Sequence, residues 1–276
     1  MERLKEVYNL IKHEAYQKKP LHFTVWAGLS DEDKTLIKRY AEEPSNFDGD
    51  NFRINAYKRG PLSKLQLGDH TIYTIGSLTG AAARSVIKQI NKFSRVLQIM
   101  GSSKSYTIYW FLSPVERKFP SHGEPVLAKH INGGYCHACK PETIVIYRAE
   151  DAVRVLIHEL MHAACLDDHS KPIPVVEAET EAWAELFYSM LMANEYGLSP
   201  GDAWNIQSSW SARQNIRLQK DHSVKGPSDY AWRYTVGKEG VWRRWNMPVA
   251  PPSNYSGNSL SLGAPENFFE KSSAKN

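Results

Sequence analysis

A long apolar run in the middle of the chain places the strongest constraint on the fold. On a helix, most of these side chains recur every three or four positions and form one stripe: Val153, Leu156, Ile157, Leu160, Met161 and Ala164. Val155 and Leu166 extend the apolar surface to the other side, so we expect this helix to be buried. Between Val155 and Cys165, polar residues interrupt the run only at His158, Glu159 and His162.

Runs of β-branched and aromatic residues predict strands before this helix. They are the segments GDHTIYTIG, SYTIYWFLS and ETIVIYR, and a helical pattern runs from Gly80 to Met100. After the buried helix, Pro172 and Pro174 interrupt the helical pattern, which resumes from about Val176 to Tyr196 and from about Ser199 to Lys220. These patterns predict an α+β fold, in which a small β-sheet packs on the buried helix and a helical lobe follows.

Changes in pattern divide the chain into three predicted parts. Residues 1–75 mix short helical segments with the polar stretch EEPSNFDGDN, which predicts an N-terminal lobe or extension. Residues 76–247 hold most of the predicted sheet, the buried helix and the helical lobe. Residues 248–276 lack periodicity, so we expect an irregular or disordered tail.

Composition excludes several classes of protein. The 276 residues carry a net charge of only +4, without a basic stripe, so we expect no nucleic-acid partner. No apolar run approaches the roughly 20 residues that span a bilayer, and the N-terminal segment lacks the apolar core of a signal peptide. Three cysteines are too few for a disulfide framework. We therefore expect a soluble protein of the reducing cytoplasm.

The two histidines of the buried helix indicate a metal site. His158 and His162 lie one helical turn apart, so both imidazoles can reach a single cation. Without such a partner, each buried imidazole would cost roughly 1–3 kcal/mol. Glu159 points in an adjacent direction, where it can take a proton from a water molecule without binding the metal. This His-Glu-x-x-His pattern is typical of zinc peptidases.

A third ligand is expected on the following helix. Glu177, Glu181 and Glu185 recur every four residues and therefore share one face. Apolar residues surround this face, which predicts that it is buried: Ala178, Ala182, Trp183, Ala184, Leu186, Phe187, Met190 and Leu191. A buried row of like charges is stable only with a compensating cation. Three protein ligands and one open position are what zinc needs for catalysis.

The combined pattern resembles that of the gluzincin metallopeptidases. His158, Glu159 and His162 are followed after 18 residues by Glu181, and the local sequence EAWAE is similar to the glutamate helix of the aminopeptidase N-like branch. The resemblance implies a zincin-like catalytic domain over residues 76–247, with His158, His162 and Glu181 binding Zn²⁺ and Glu159 as general base. It also implies that Glu185 orients a metal-binding histidine. A Gly-x-Met-x-Asn exopeptidase loop is not recognisable in the sequence.

Other residues compete for some of these roles. Asp168 stands where metzincins carry their third ligand, but Cys165 occupies the position at which that family needs glycine for a sharp turn. Glu177 and Glu185 are alternatives to Glu181. In gluzincins, a tyrosine or histidine after the third ligand stabilises the oxyanion, and the candidates here are Tyr230, Tyr234 and His222, of which we favour Tyr230.

Two further features lie between the predicted strands. The segment HINGGYCHA, with Gly133 and Gly134, is a candidate edge strand for a peptide substrate, although an ordinary glycine turn fits equally well. Cys136 and Cys139 form a single CHAC motif, which we interpret as two ordinary thiols. A separate zinc site there would need His130, His137 or Cys165.

The sequence therefore predicts a zinc-dependent metallopeptidase acting on a peptide or protein substrate. The alternative is a catalytically inactive zincin-like module that binds zinc or a protein partner. Glu159 favours the enzyme, because a structural zinc site needs no general base.

Overall fold

The chain has a mixed α/β fold. The computed structural model describes residues 2–17, 19, 21–26, 28–45, 47–77, 79–100 and 104–274. Within them the chain divides into two compact units. We call residues 17–116 with 132–166 the sheet unit, and residues 1–16, 117–131 and 167–276 the helical unit.

The described residues contain six strands and ten α-helices. The strands are β1 Phe23–Trp26, β2 Leu62–Leu67, β3 His70–Ile75, β4 Thr107–Phe111, β5 Gly134–His137 and β6 Lys140–Ile146. The helices are α1 Glu2–Ile11, α2 Asp31–Glu42, α3 Phe52–Lys58, α4 Gly80–Met100, α5 Ala128–Ile131, α6 Ala152–Ala163, α7 Ile173–Tyr196, α8 Pro200–Asp221, α9 Val236–Arg244 and α10 Glu266–Ser273. A π-helical turn, Lys12–Tyr16, follows α1, and a 3-10 helix, Tyr230–Tyr234, precedes α9.

The sheet unit contains all six strands, in the order β1-β2-β3-β4-β6-β5. Strands β3, β4 and β6 run parallel, whereas β1, β2 and β5 pair antiparallel with their neighbours. The three central strands are rich in β-branched and aromatic residues and are buried over most of their length, as expected for strands covered on both faces. Strand β5 therefore lies at one edge of the sheet, next to β6.

An aromatic core covers one face of the sheet beneath α2 and α3. It contains Ile37, Phe52, Tyr73, Tyr109, Phe111 and Tyr147. Helix α2 begins with a capping box, in which the Ser30 hydroxyl accepts from the Asp33 amide and the Asp33 carboxylate accepts from the Ser30 amide. The same carboxylate accepts hydrogen bonds from Tyr73 of β3 and Lys64 of β2, so one buried acid joins the start of α2 to the sheet.

The helical unit is built around α7 and α8. Trp204 and Trp210 of α8 and Trp242 of α9 are buried, and each indole nitrogen donates to a backbone carbonyl. Helix α7 ends at Gly197, which adopts a left-handed conformation (φ 64°) that glycine accommodates without strain. The helix begins three residues earlier than predicted, because Pro174 lies in the first turn, where a missing amide hydrogen costs nothing.

The structure corrects two of the predicted boundaries. The division at residue 75 is wrong, because β2 and β3 lie before it and β3 pairs with β4 beyond it. The final segment is irregular only up to residue 265: Arg213 holds the carbonyls of Tyr255 and Gly257, and α10 follows. Leu260 and Leu262 are buried, so this segment is part of the core of its unit. In the described part of the chain, no helix is long and apolar enough to cross a bilayer.

Candidate functional site

Helix α6 is buried along nearly its whole length, as its sequence predicts. At its start, Arg154 forms a buried ion pair with Asp151, with Nε 2.6 Å from Oδ2. At its end, the amide of Cys165 donates to the carbonyl of His162 and the amide of Leu166 donates to that of Met161. These two bonds define a Schellman motif, in which the left-handed residue is Cys165 (φ 65°) where glycine is usual.

The two histidines of α6 face each other. The Nε2 atoms of His158 and His162 are 3.0 Å apart, and the rings meet edge to face with their centroids separated by 4.7 Å. His158 is buried and His162 is half-buried. The structure therefore brings together the two side chains that the sequence predicts as a chelating pair, inside one unit and on one rigid helix.

Glu159 lies on the side of α6 that faces the edge strand. Its side chain is 7% exposed, and its Cγ atom would be 3.4 Å from a Cβ atom built on Gly134 of β5. The thiol of Cys136, two residues along the same strand, donates to the backbone carbonyl of Glu159 at 3.2 Å. The expected general base thus lies directly beside the outermost strand of the sheet.

Gly134 permits this close approach. A Cβ atom at this position would be 2.7 Å from Cγ1 of Val155 and 2.8 Å from the carbonyl oxygen of Val145, and no side chain fits there without displacing one of them. The segment HINGGYCHA was expected to be either an edge strand or a glycine turn. Its residues from Gly134 to His137 form the edge strand β5, so the first alternative is confirmed.

The cysteines differ from the prediction. Cys139 and Cys165 form a disulfide, so the expectation of an ordinary thiol is wrong for Cys139, while Cys136 stays outside the bond. Disulfides persist mainly in oxidising compartments, which differs from the cytoplasmic setting inferred from cysteine number. The number of cysteines alone could not reveal this bond. The pairing depends on the turn at the end of α6, which places Cys165 beside the β5–β6 hairpin.

The acidic face of α7 lies in the helical unit and is buried, as predicted. Glu181 is 1% exposed and Glu185 is fully buried, while Glu177 is half-buried. Glu185 forms an ion pair with Lys238 of α9, which is also fully buried, and its carboxylate accepts further hydrogen bonds from Gln207 and Ser211.

The role of Lys238 was not predicted from the sequence. Its segment, VGKEGVWRR, has the composition of a helix with charged residues on its surface. Tertiary packing, which the local sequence does not reveal, places the lysine opposite Glu185. The cation that compensates this end of the acidic face is therefore a side chain of the same unit.

The oxyanion candidates also lie in the helical unit. Tyr230 and Tyr234 stand at the two ends of the 3-10 helix, with ring centroids 5.6 Å apart. Burial, with contributions from Glu177 and Tyr230, raises the pKa of Tyr234 well above its usual value, so this hydroxyl stays protonated. His222 is buried, stacks on Phe119 and bonds through Nδ1 to the carbonyl of Glu124. These contacts make His222 a core residue of its unit.

The rival ligand Asp168 has other partners. Its carboxylate accepts from the amide and hydroxyl of Ser170 and lies 3.4 Å from the Lys171 ammonium. The hydrogen bonds from Ser170 lower the pKa of Asp168, with Lys171 contributing. Cys165 adopts the left-handed conformation at which metzincins need glycine, so the turn forms here with a residue that is strained in it.

Comparison with known proteins adds no assignment. No family model matches this chain. Among curated proteins and solved structures there is likewise no significant match. The gluzincin resemblance therefore rests on the sequence motif from His158 to Glu181.

Proposed function

We propose that this chain is a zincin-like, zinc-dependent metallopeptidase that hydrolyses a peptide or protein substrate. The observation that carries the proposal is the pair of imidazole nitrogens 3.0 Å apart on α6, with Glu159 between them in sequence. Two nitrogens that each lie about 2.0–2.1 Å from a tetrahedral zinc ion are about 3.3 Å from each other. His158 and His162 therefore fit a shared zinc ion with only a small adjustment.

Glu181 is the proposed third ligand. Two sequence features support this role: 18 residues separate Glu181 from His162, and Glu181 lies in the sequence EAWAE. Glu181 is also buried, and a buried carboxylate needs a cation beside it to be stable. Glu185 is a weaker candidate, because Lys238, Gln207 and Ser211 already hold both of its oxygens. We propose that Glu185 supports the packing of α7 through these contacts, instead of orienting a metal-binding histidine as the resemblance implies.

The chemistry divides between the metal and the side chains around it. When bound, zinc would polarise the scissile carbonyl and lower the pKa of a water molecule. Glu159 would accept the proton of that water and pass it to the leaving amine, a role worth about 10²- to 10⁴-fold in rate. Glu159 is 7% exposed and packs against Gly134 of β5, which would restrict the movement of its carboxylate during both transfers.

The substrate would lie along β5. Among the described strands, β5 is at the end of the sheet next to β6, and we infer that an extended peptide could pair with its outer edge as a seventh strand. Because Glu159 packs against Gly134, such a peptide would run past the general base. Tyr230, at the start of the 3-10 helix, is the proposed donor to the developing oxyanion.

The test is hydrolysis of a denatured protein substrate by the zinc-loaded chain and by its Glu159→Gln variant. We expect the variant to keep its zinc and to lose hydrolysis by at least about 10²-fold, because the amide cannot accept the proton. Equal activity of the two proteins would refute the assigned base. Zinc binding without hydrolysis by the unsubstituted chain would favour the alternative, an inactive zinc-binding module.

A further inference from the structure

The disulfide lies at the end of the helix that carries the proposed zinc ligands. Cys165 lies two residues after the end of α6 and three after His162, and Cys139 lies in the turn between β5 and β6. The bond closes a loop of chain with a separation of 26 residues. It therefore joins the C-terminal end of α6 to the hairpin whose outer strand packs against Glu159.

Both cysteine amides converge on His162. The backbone carbonyl of this residue accepts a hydrogen bond from the amide of Cys165 at 3.0 Å and another from the amide of Cys139 at 2.9 Å. The last carbonyls of a helix have no partner within the helix, and the final turn frays unless something else holds it. In this helix the amides of the two disulfide-bonded residues bind the carbonyl of His162 and so stabilise the final turn.

Each cysteine occupies a backbone position that favours glycine. Cys165 has φ 65° in the Schellman motif and Cys139 has φ 62° in the hairpin turn. A residue other than glycine is strained there, and glycine would form either turn more easily. Cysteine at both positions indicates that the sulfur atoms have a role that outweighs the strain.

We propose that the Cys139–Cys165 disulfide is a redox-controlled lock on the metal-binding position of His162. The lock opens when two molecules of a small thiol reduce it: the S–S bond breaks, both cysteines become thiols, and the two reductant sulfurs form a new disulfide. Cys165 is exposed, so a small reductant can reach the bond. Once it is open, the last turn of α6 loses its covalent restraint and is held by hydrogen bonds, and the affinity for zinc falls.

This inference rests on the proposed function, so its test measures metal binding and backbone order separately. The oxidised chain is titrated with zinc against a chromogenic chelator, before and after treatment with a phosphine reductant that is then removed by gel filtration. We expect reduction to weaken zinc binding by about 10- to 100-fold, the loss typical when the support of a ligand is removed. Reoxidation should restore the original affinity.

Three substitutions separate the covalent bond from backbone strain. Cys165→Ser removes the bond and keeps the strained turn, whereas Cys165→Gly removes the bond and relieves the strain. We expect both to bind zinc as weakly as the reduced chain and to be insensitive to the reductant. Cys136→Ser is the matched control: it alters a cysteine of the same hairpin outside the disulfide, and it should respond to the reductant as the unsubstituted chain does.

Hydrogen exchange provides a readout that needs no metal. Reduction should speed exchange of the amides of Cys139, Cys165 and Leu166, with little change in β3 and β4. Equal zinc affinity and equal protection in both redox states would overturn the lock. A chain that binds no zinc in either state, yet loses protection on reduction, would instead count against the proposed metallopeptidase.

Discussion

The Nε2 atoms of His158 and His162 lie 3.0 Å apart on successive turns of α6. Both side chains can share a cation while α6 keeps its shape, because a Schellman motif caps the C-terminal end of the helix and the Asp151–Arg154 ion pair lies at its start. The spacing of the motif is enough to predict this pairing. The structure adds that the edge strand β5 lies beside α6, with Gly134 in contact with Glu159.

The oxyanion assignment predicts different effects for two neighbouring tyrosines. Tyr230→Phe should lower kcat by about 10²- to 10³-fold with little change in KM or in zinc content, because the lost hydroxyl acts mainly in the transition state. The control is Tyr234→Phe, which removes a hydroxyl from the same 3-10 helix and should leave kcat nearly unchanged. Steady-state kinetics on a fluorogenic peptide would distinguish them. A larger loss for Tyr234→Phe would transfer the role to Tyr234.

The tight contact at Gly134 predicts a cost for the smallest added side chain. Gly134→Ala should lower the free energy of unfolding by about 1–3 kcal/mol, because the new methyl group overlaps Val155 and the carbonyl of Val145. Gly49→Ala is the control within the same unit, since no atom lies within 4 Å of its added methyl group. Urea unfolding measures both, and equal stability of the two variants would show that β5 does not pack on α6 as described.

The buried ion pair of the helical unit predicts strong coupling between α7 and α9. Lys238→Met should destabilise the chain by about 3–5 kcal/mol, because it leaves the Glu185 carboxylate buried without its cation. Adding Glu185→Gln should recover part of that loss, and a double-mutant cycle gives the coupling. Arg243→Met is a control on the same helix: it breaks an exposed pair with Glu239 and should cost less than about 1 kcal/mol.

Asp33 predicts how the stability of the sheet unit depends on pH. Burial opposes its ionisation, but hydrogen bonds from Tyr73, Lys64 and Ser30 outweigh burial and lower the pKa of Asp33 to about 2. Because the folded-state pKa lies below the unfolded value of about 3.9, the stabilisation is complete above about pH 5 and is lost as the pH falls towards 2.

The measurement is urea unfolding of the unsubstituted chain and of Asp33→Asn between pH 7 and pH 2. At neutral pH the variant should be less stable by up to about 2 kcal/mol, and this difference should shrink as the solution becomes acidic. A difference that stays constant over the whole range would show that the Asp33 carboxylate is not stabilised in the folded state.

Local sequence patterns predicted the elements near the candidate site better than the way they assemble. The strands β3, β4 and β6 and the helices α4, α6 and α8 agree with their periodicity, because each buries a regular apolar face. Strand β2, with the sequence LSKLQL, was not predicted: it is short, and its pairing with β3 is a tertiary property.

The same limit applies to individual side chains. Spacing along α6 and α7 indicated which histidines and glutamates share a face, because that depends only on helix geometry. The pairing of Cys139 with Cys165 and of Glu185 with Lys238 joins residues that are distant in sequence. Turn geometry and packing bring them together, and neither follows from local periodicity.

We propose that one zinc ion is bound by His158, His162 and Glu181. Elemental analysis after dialysis against a buffer with trace zinc measures this binding. We expect about one zinc per unsubstituted chain and loss of the metal in His158→Gln, His162→Gln and Glu181→Gln. The control His137→Gln changes an exposed histidine of β5 and should retain the metal fully. Absence of zinc from the unsubstituted chain, or its full retention in the His158 and His162 variants, would refute the proposed site.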